Sequence, residues 1–303
     1  MTHTIRNSRQ PFSKALSDAW RRTGAFLCVG LDPLPDRLPA HLSAHPSSHP
    51  SDGGFIAGSD ETLAAVDQFC RGIIAATAES VCAFKPQIAH FAALGCEAVL
   101  QDLIAHIHST YPGLPVILAA KRGDIGSTAD RYAIEAFERY DADAVTVNPW
   151  LGQEGLQPFL DYKDRGTIVL CRTSNADSAW LQTAAEGMDQ PYLRIARASR
   201  EWNTHSNVLL VAGATYPEGL GAIREAAGDG VGLLVPGVGA QGGDLSAVFR
   251  QGASADGFGL VVNSSRAIIY ASNGEDFAEA AGIAANSVVD EMRDLRRAAN
   301  FIR

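Results

Sequence analysis

The apolar run from Val116 to Ala120 ends on a lysine, Lys121, and Arg122, Gly123 and Asp124 follow at once. A lysine buried at a strand end is costly unless it is paired or has chemistry to perform. A second lysine, Lys85, closes another apolar run, "VCAFK". Further along, "PGVGAQGGD" (236–244) contains G-x-G-x-x-G at Gly237, Gly239 and Gly242. A dinucleotide site would require an acidic residue at the end of the next strand, but that strand ends in Asn263. The better reading is a loop whose backbone N–H groups cradle one phosphate, with Arg266 adding a fork-shaped contact. Together these residues describe a phosphorylated small substrate, a lysine near its reactive end and acidic groups beside that lysine. No metal or redox-cofactor motif is visible.

Eight runs rich in apolar and β-branched residues must position these groups. They are "FLCVGLD" (26–32), "VCAFKPQ" (81–87), "VILAAKRGD" (116–124), "DAVTVNPW" (143–150), "GTIVLCRTS" (166–174), "NVLLVAGAT" (207–215), "VGLLVPGVG" (231–239) and "GFGLVVNSS" (257–265). Most are continuous rather than alternating, the mark of parallel strands covered on both faces. Amphipathic stretches with helical spacing lie between them, such as 62–81 and 127–142. The reading is an α/β protein, a (β/α)8 TIM barrel formed as a single domain over 1–303. A helix near 10–24 packs across one end. A long Pro/Ser/His-rich loop, 33–60, is inserted after strand 1 and is partly mobile. His41, His45 and His49 fall in it, and a loop broken by prolines does not hold three imidazoles on one face.

Function in such barrels gathers at the C-terminal ends of the strands. Those ends, with the loops after them, carry Asp32, Lys85, Lys121 with Asp124, Asn148, Ser174, Gln241 and Arg266. The resumption of polarity after a strand accounts for Asn148 and Ser174 but poorly for the two lysines. The loop after strand 7 and the start of strand 8's connection are the usual phosphate pocket of the fold.

Bulk properties narrow the class. A formal charge of −9 argues against general nucleic-acid binding, though a few local cations suffice for one phosphate. No apolar stretch approaches the ~18 residues of a membrane span, and the N-terminal segment lacks the apolar core of a signal peptide. Five cysteines without a CxxC pair read as buried thiols in a reducing cytoplasm.

The segments "VGLDP", "FKPQIAHF", "AKRGDIGSTA", "TVNPWLG", "CRTSN", "PGVGAQGGD" and "VNSSRAIIYAS", in that order from about residue 26 to residue 272, resemble orotidine 5'-phosphate decarboxylase, in its longer type 2 branch. The resemblance implies a homodimeric (β/α)8 barrel that converts orotidine 5'-monophosphate (OMP) to UMP and CO2 without a cofactor, in pyrimidine biosynthesis. It implies that Lys121 donates the proton to C6 of the pyrimidine and that Asp32 binds a ribose hydroxyl. Lys85 would contact the ribose and the acidic network, and Ser174 the pyrimidine amide edge. Gln241 and Arg266 would hold the phosphate. Asp124, Ile125 and Thr128 would be presented to the neighbouring subunit's site.

One position departs from the family pattern Asp-x-Lys-x-x-Asp. Here it reads Ala119-Ala120-Lys121-Arg122-Gly123-Asp124, so the first carboxylate is absent. Its loss is expected to ease binding of the anionic substrate, leave Lys121 less well positioned and slow turnover. A natural enzyme with a substitute acid, an altered variant, and a non-catalytic pyrimidine-nucleotide binder are the competing accounts; a decarboxylase scaffold with reduced activity is the favoured one. Mg²⁺-dependent phosphosugar lyases on the same scaffold hold the metal with acidic strand ends, where this chain has Ala119 and Lys85.

Overall fold

The computed structural model describes residues 10–42, 57–238 and 243–300. Each of the eight apolar runs contains a strand: β1 (Leu27–Leu31), β2 (Ala83–Pro86), β3 (Ile117–Arg122), β4 (Ala144–Val147), β5 (Gly166–Arg172), β6 (Val208–Ala212), β7 (Gly232–Pro236) and β8 (Leu260–Ser264). All pair in parallel in the order β2-β1-β8-β7-β6-β5-β4-β3. The remaining seam, β2 to β3, is drawn together by the single bridges Phe84–Val116 and Gln87–Ala119. The sheet is therefore a nearly closed barrel with helices around it, as the alternation of strand and helix patterns implies.

The continuous apolar character of the strands follows from two cores. Outward side chains such as Val29, Phe84, Leu118 and Val145 pack under the surrounding helices. Inward ones, including Cys28, Ile117, Ile168, Leu234 and Val261, fill the barrel interior. The helix Phe12–Thr23 closes the N-terminal end by adding Phe12, Leu16 and Ala19 to that inner cluster. This end is a packed plug, which leaves the C-terminal end as the face free for chemistry.

The insertion after β1 is partly described. Pro35–Arg37 and Ala40–Leu42 form short 3₁₀ turns, and Leu38 and Leu42 are buried against the main core. Residues 43–56, with His45 and His49, lie outside the described residues. The amphipathic stretch 127–142 is a helix over Gly126–Ile134 that widens into a π-helical turn, Glu135–Arg139.

Candidate active site

β3 places Lys121 by leaving regular geometry. Its register against β4 shifts between Leu118 and Arg122, and Lys121 sits at φ +50°, a left-handed conformation rare for a residue with a side chain. Thr146 Oγ1 on β4 holds this kink, accepting the N–H groups of Ala120 and Lys121 at 2.9 Å each. Such strain persists where the surroundings impose it, most often at functional sites. The kink separates the two adjacent cations. Lys121 reaches the cavity at the barrel mouth, while Arg122 donates to both Glu135 carboxylate oxygens at 2.9 and 3.0 Å and lies over the Tyr132 ring. The sequence reading of Lys121 as a buried lysine is corrected here. Lys121 keeps solvent contact in the mouth, because the kink turns it out of the strand's packed part, while the cavity walls strip part of its amine's hydration; the lysine buried as a whole residue is Lys85, 8% exposed.

The cavity has a volume of about 430 Å³, and Asp32, Lys85, Lys121, Ser174 and Arg266 all line it. Two glycines let lining residues sit close against the strands and the connection beside them. A Cβ on Gly30 of β1 would stand 1.8 Å from Ser265 Oγ, and one on Gly213 would stand 2.8 Å from the Ser174 backbone. Two hollows of similar volume flank the helix Phe12–Thr23 at the opposite end, and neither is lined by a lysine. Gln241 lies outside the described residues, and of the residues flanking it Gly243 N–H donates to the Gly237 carbonyl at 3.1 Å.

Asp124, Ile125 and Thr128 do not line the cavity. Ile125 and Thr128 are exposed on the surface. Ile125 is 53% exposed, beside Trp150 at 71% and Leu151 at 48%, an unusual concentration of bare apolar surface. The absence of a side chain on Gly155 brings these segments together: a Cβ there would lie 2.7 Å from the Asp124 carbonyl and 3.4 Å from Leu151.

The electrostatics of the mouth are unbalanced. Loss of hydration, and then the charge of Lys85, lower the Lys121 pKa from its ordinary value, with Asp32 opposing them. Among the described residues neither lysine is within ion-pair distance of a carboxylate. Two acceptors in the same cavity, Asp32 Oδ1 and Asn263 Oδ1, are buried with no hydrogen-bond partner among the described residues. Buried acceptors are rarely left so unless a ligand or water completes them. Among the described residues no group of three His, Cys, Asp or Glu side chains is placed to hold a metal ion. The cysteines are free and buried, and burial pushes the Cys28 thiol up to about 12, which leaves it inert as a nucleophile.

Sequence reasoning overlooked several contributors. Arg172, 4% exposed, donates to Ser178 Oγ at 2.8 Å and Gln182 Oε1 at 3.1 Å and stacks on Tyr216, which fixes the segment carrying Ser174. Asn263 was read only as a missing acid. Gln87 follows Lys85 by two residues, and that spacing is the signal that places both on one face of the chain.

The profile of the orotidine 5'-phosphate decarboxylase / HUMPS family matches residues 25–281. The chain is 50% identical over 286 residues to the orotidine 5'-phosphate decarboxylase of Ralstonia pickettii, covering 94% of this chain and 99% of that protein. It superposes on the Leishmania donovani OMP decarboxylase structure with a TM-score of 0.77 and 34% identity, covering 94% of this chain and 98% of the other. It also superposes on Leishmania donovani UMP synthase with a TM-score of 0.78 and 36% identity, covering 95% of this chain and spanning 57% of that longer one. On its barrel, its paired strand-end lysines and this likeness over nearly its whole length, the chain belongs to the orotidine 5'-phosphate decarboxylase / HUMPS family.

Proposed function

We propose that this chain converts orotidine 5'-monophosphate to UMP and CO2, with Lys121 as the proton donor. The observation that carries the reading is that Lys121 and Arg266 line one cavity, the first at the kinked end of β3, the second at the start of the turn after β8. An OMP molecule laid across it has its phosphate at Arg266 and the backbone of the β7–β8 connections, with Gln241 as a further contact. Its ribose meets Asp32 and Lys85, its amide edge meets Ser174, and C6 faces Lys121. Loss of CO2 leaves the C6 electron pair behind. The Lys121 ammonium stabilises that charge and then transfers its proton to C6. At ~4 Å and an effective dielectric near 20 one such charge pair contributes ~4 kcal/mol, about three decades in rate. Gripping the remote phosphate drives closure and so supports the chemical step.

The working unit we propose is a homodimer of single-domain barrels, with residues 33–60 an insertion in each. Asp124, Ile125 and Thr128 would reach the neighbouring subunit's site, and the bare apolar surface at Ile125, Trp150 and Leu151 supports this reading. Buried free thiols suit a cytoplasmic location, and no helix among the described residues is long and apolar enough to cross a membrane. The charge of −9 gives no reason to invoke nucleic acid.

Ala119 stands where the family pattern has aspartate, so turnover is expected to be reduced. The relatives named as decarboxylases favour slow catalysis over a non-catalytic nucleotide binder. The test is UMP formation by this chain and by Ala119→Asp, with a gain of at least about a hundredfold expected. Equal rates would show that Ala119 is no lesion, and no UMP from either protein would remove the proposed activity.

A further inference from the structure

We propose that Gln87 is the positioning residue that holds the Lys121 amine over the cavity, in the role left open by the carboxylate that Ala119 lacks. Gln87 lies at the barrel's closing seam, where its backbone bridges to Ala119 and its N–H donates to the Leu31 carbonyl at 3.2 Å. Its side chain lines the same cavity as Lys85 and Lys121. The neighbours fix which way the amide faces. Its NH2 donates to the Ala119 carbonyl, and its oxygen accepts from Lys121 Nζ at 3.0 Å. The reverse orientation would set oxygen against a carbonyl and NH2 against an ammonium, two repulsions in place of two bonds.

The charged groups sharing the cavity are Asp32 from β1's end, Lys85 from β2 and Arg266 after β8. None supplies a carboxylate within ion-pair distance of Lys121. The amide oxygen is then the acceptor available to the amine. It fixes the direction of the amine without neutralising it, which accounts for a site that keeps its geometry while losing charge balance. A hydrogen bond to the charged form favours that form, so Gln87 partly offsets the effect of Lys85.

The inference rests on Lys121 as proton donor, and two readouts separate the claims. Gln87→Leu is expected to lower kcat about tenfold with KM for OMP changed less than about threefold, the net worth of one hydrogen bond to a charged group. Its alkaline limb in kcat should move to lower pH, and that of Gln87→Glu to higher pH. In the Ala119→Asp background the new carboxylate takes over, so Gln87→Leu should cost less than about twofold. An equal loss in both backgrounds with unmoved limbs would make Gln87 mere seam packing and overturn the proposal. Should Ala119→Asp make no UMP, the catalytic reading falls, and NMR titration of the ¹³C-methylated lysines decides on Gln87 alone. A lower Lys121 midpoint in Gln87→Leu supports the inference, and an unchanged midpoint overturns it.

Discussion

Thr146 and Lys121 are joined through the backbone: one hydroxyl on β4 accepts two successive N–H groups of β3 at 2.9 Å each, at the point where Lys121 adopts φ +50°. Thr146 itself is buried. Thr146→Val keeps the shape and removes the acceptor. Two part-buried donors then lose their partner, at no more than about 1–3 kcal/mol each, and less where water takes its place. The variant is expected to have a lower Tm and a kcat reduced more than KM is raised, because the kink that aims Lys121 relaxes. Calorimetry and steady-state kinetics check this, and an unchanged kcat would show that the kink does not set the amine's direction.

Arg266 begins the short helix Arg266–Ile269 and lines the cavity without an acidic partner among the described residues. Arg266→Ala should weaken UMP binding by roughly tenfold or more and leave uridine binding nearly unchanged, since only the phosphate gains from a guanidinium fork. Titration calorimetry with both ligands reads the difference. Equal losses for UMP and uridine would place the phosphate elsewhere.

Asp124 gives a test of the shared site. In the Ala119→Asp background, Lys121→Ala and Asp124→Ala subunits should each be inactive as homodimers. Mixing them makes hybrid dimers in which one site retains both residues, so up to about half of the dimers regain one working site by random assortment. Activity appearing on mixing, at the rate of subunit exchange, is the expected result. Absence of rescue in mixtures shown to contain hybrids would mean that Asp124 serves its own barrel.

The parts legible in the sequence were those fixed by periodicity and by strand ends. β1 and β8 read as strands because they are continuous apolar runs, Lys85 read as a site residue because it ends one, and Arg266 because it follows strand 8 at the usual phosphate pocket of the fold. The parts that stayed hidden depend on contacts across the barrel. The Lys121 kink requires Thr146, 25 residues away, and Gln87 finds its role only when β2 meets β3. Strand 4 read on to Trp150, but it stops at Val147, where Asn148 Oδ1 accepts the Trp150 N–H and Pro149 starts a 3₁₀ turn. Gln241 sits outside the described residues, so its place beside Arg266 remains the resemblance's contribution.

Lys121 carries a stability penalty that depends on pH. Its pKa in the folded protein lies below the ordinary lysine value of 10.5, first through lost hydration and then through Lys85. The folded state therefore gives up this proton more readily than the unfolded chain. The penalty is full at pH values below the folded pKa, fades as pH rises from there toward 10.5, and vanishes above it. Lys121→Met removes the charge and keeps a flexible unbranched chain at the same strained φ, so backbone strain cancels in the comparison. The variant should be inactive yet melt higher than the parent at pH 7, and the gap should narrow as pH approaches 10.5. Melting curves at several pH values measure the gap. A gap that stays constant with pH would mean that the amine's charge is not the destabilising feature, and that packing of the methionine is.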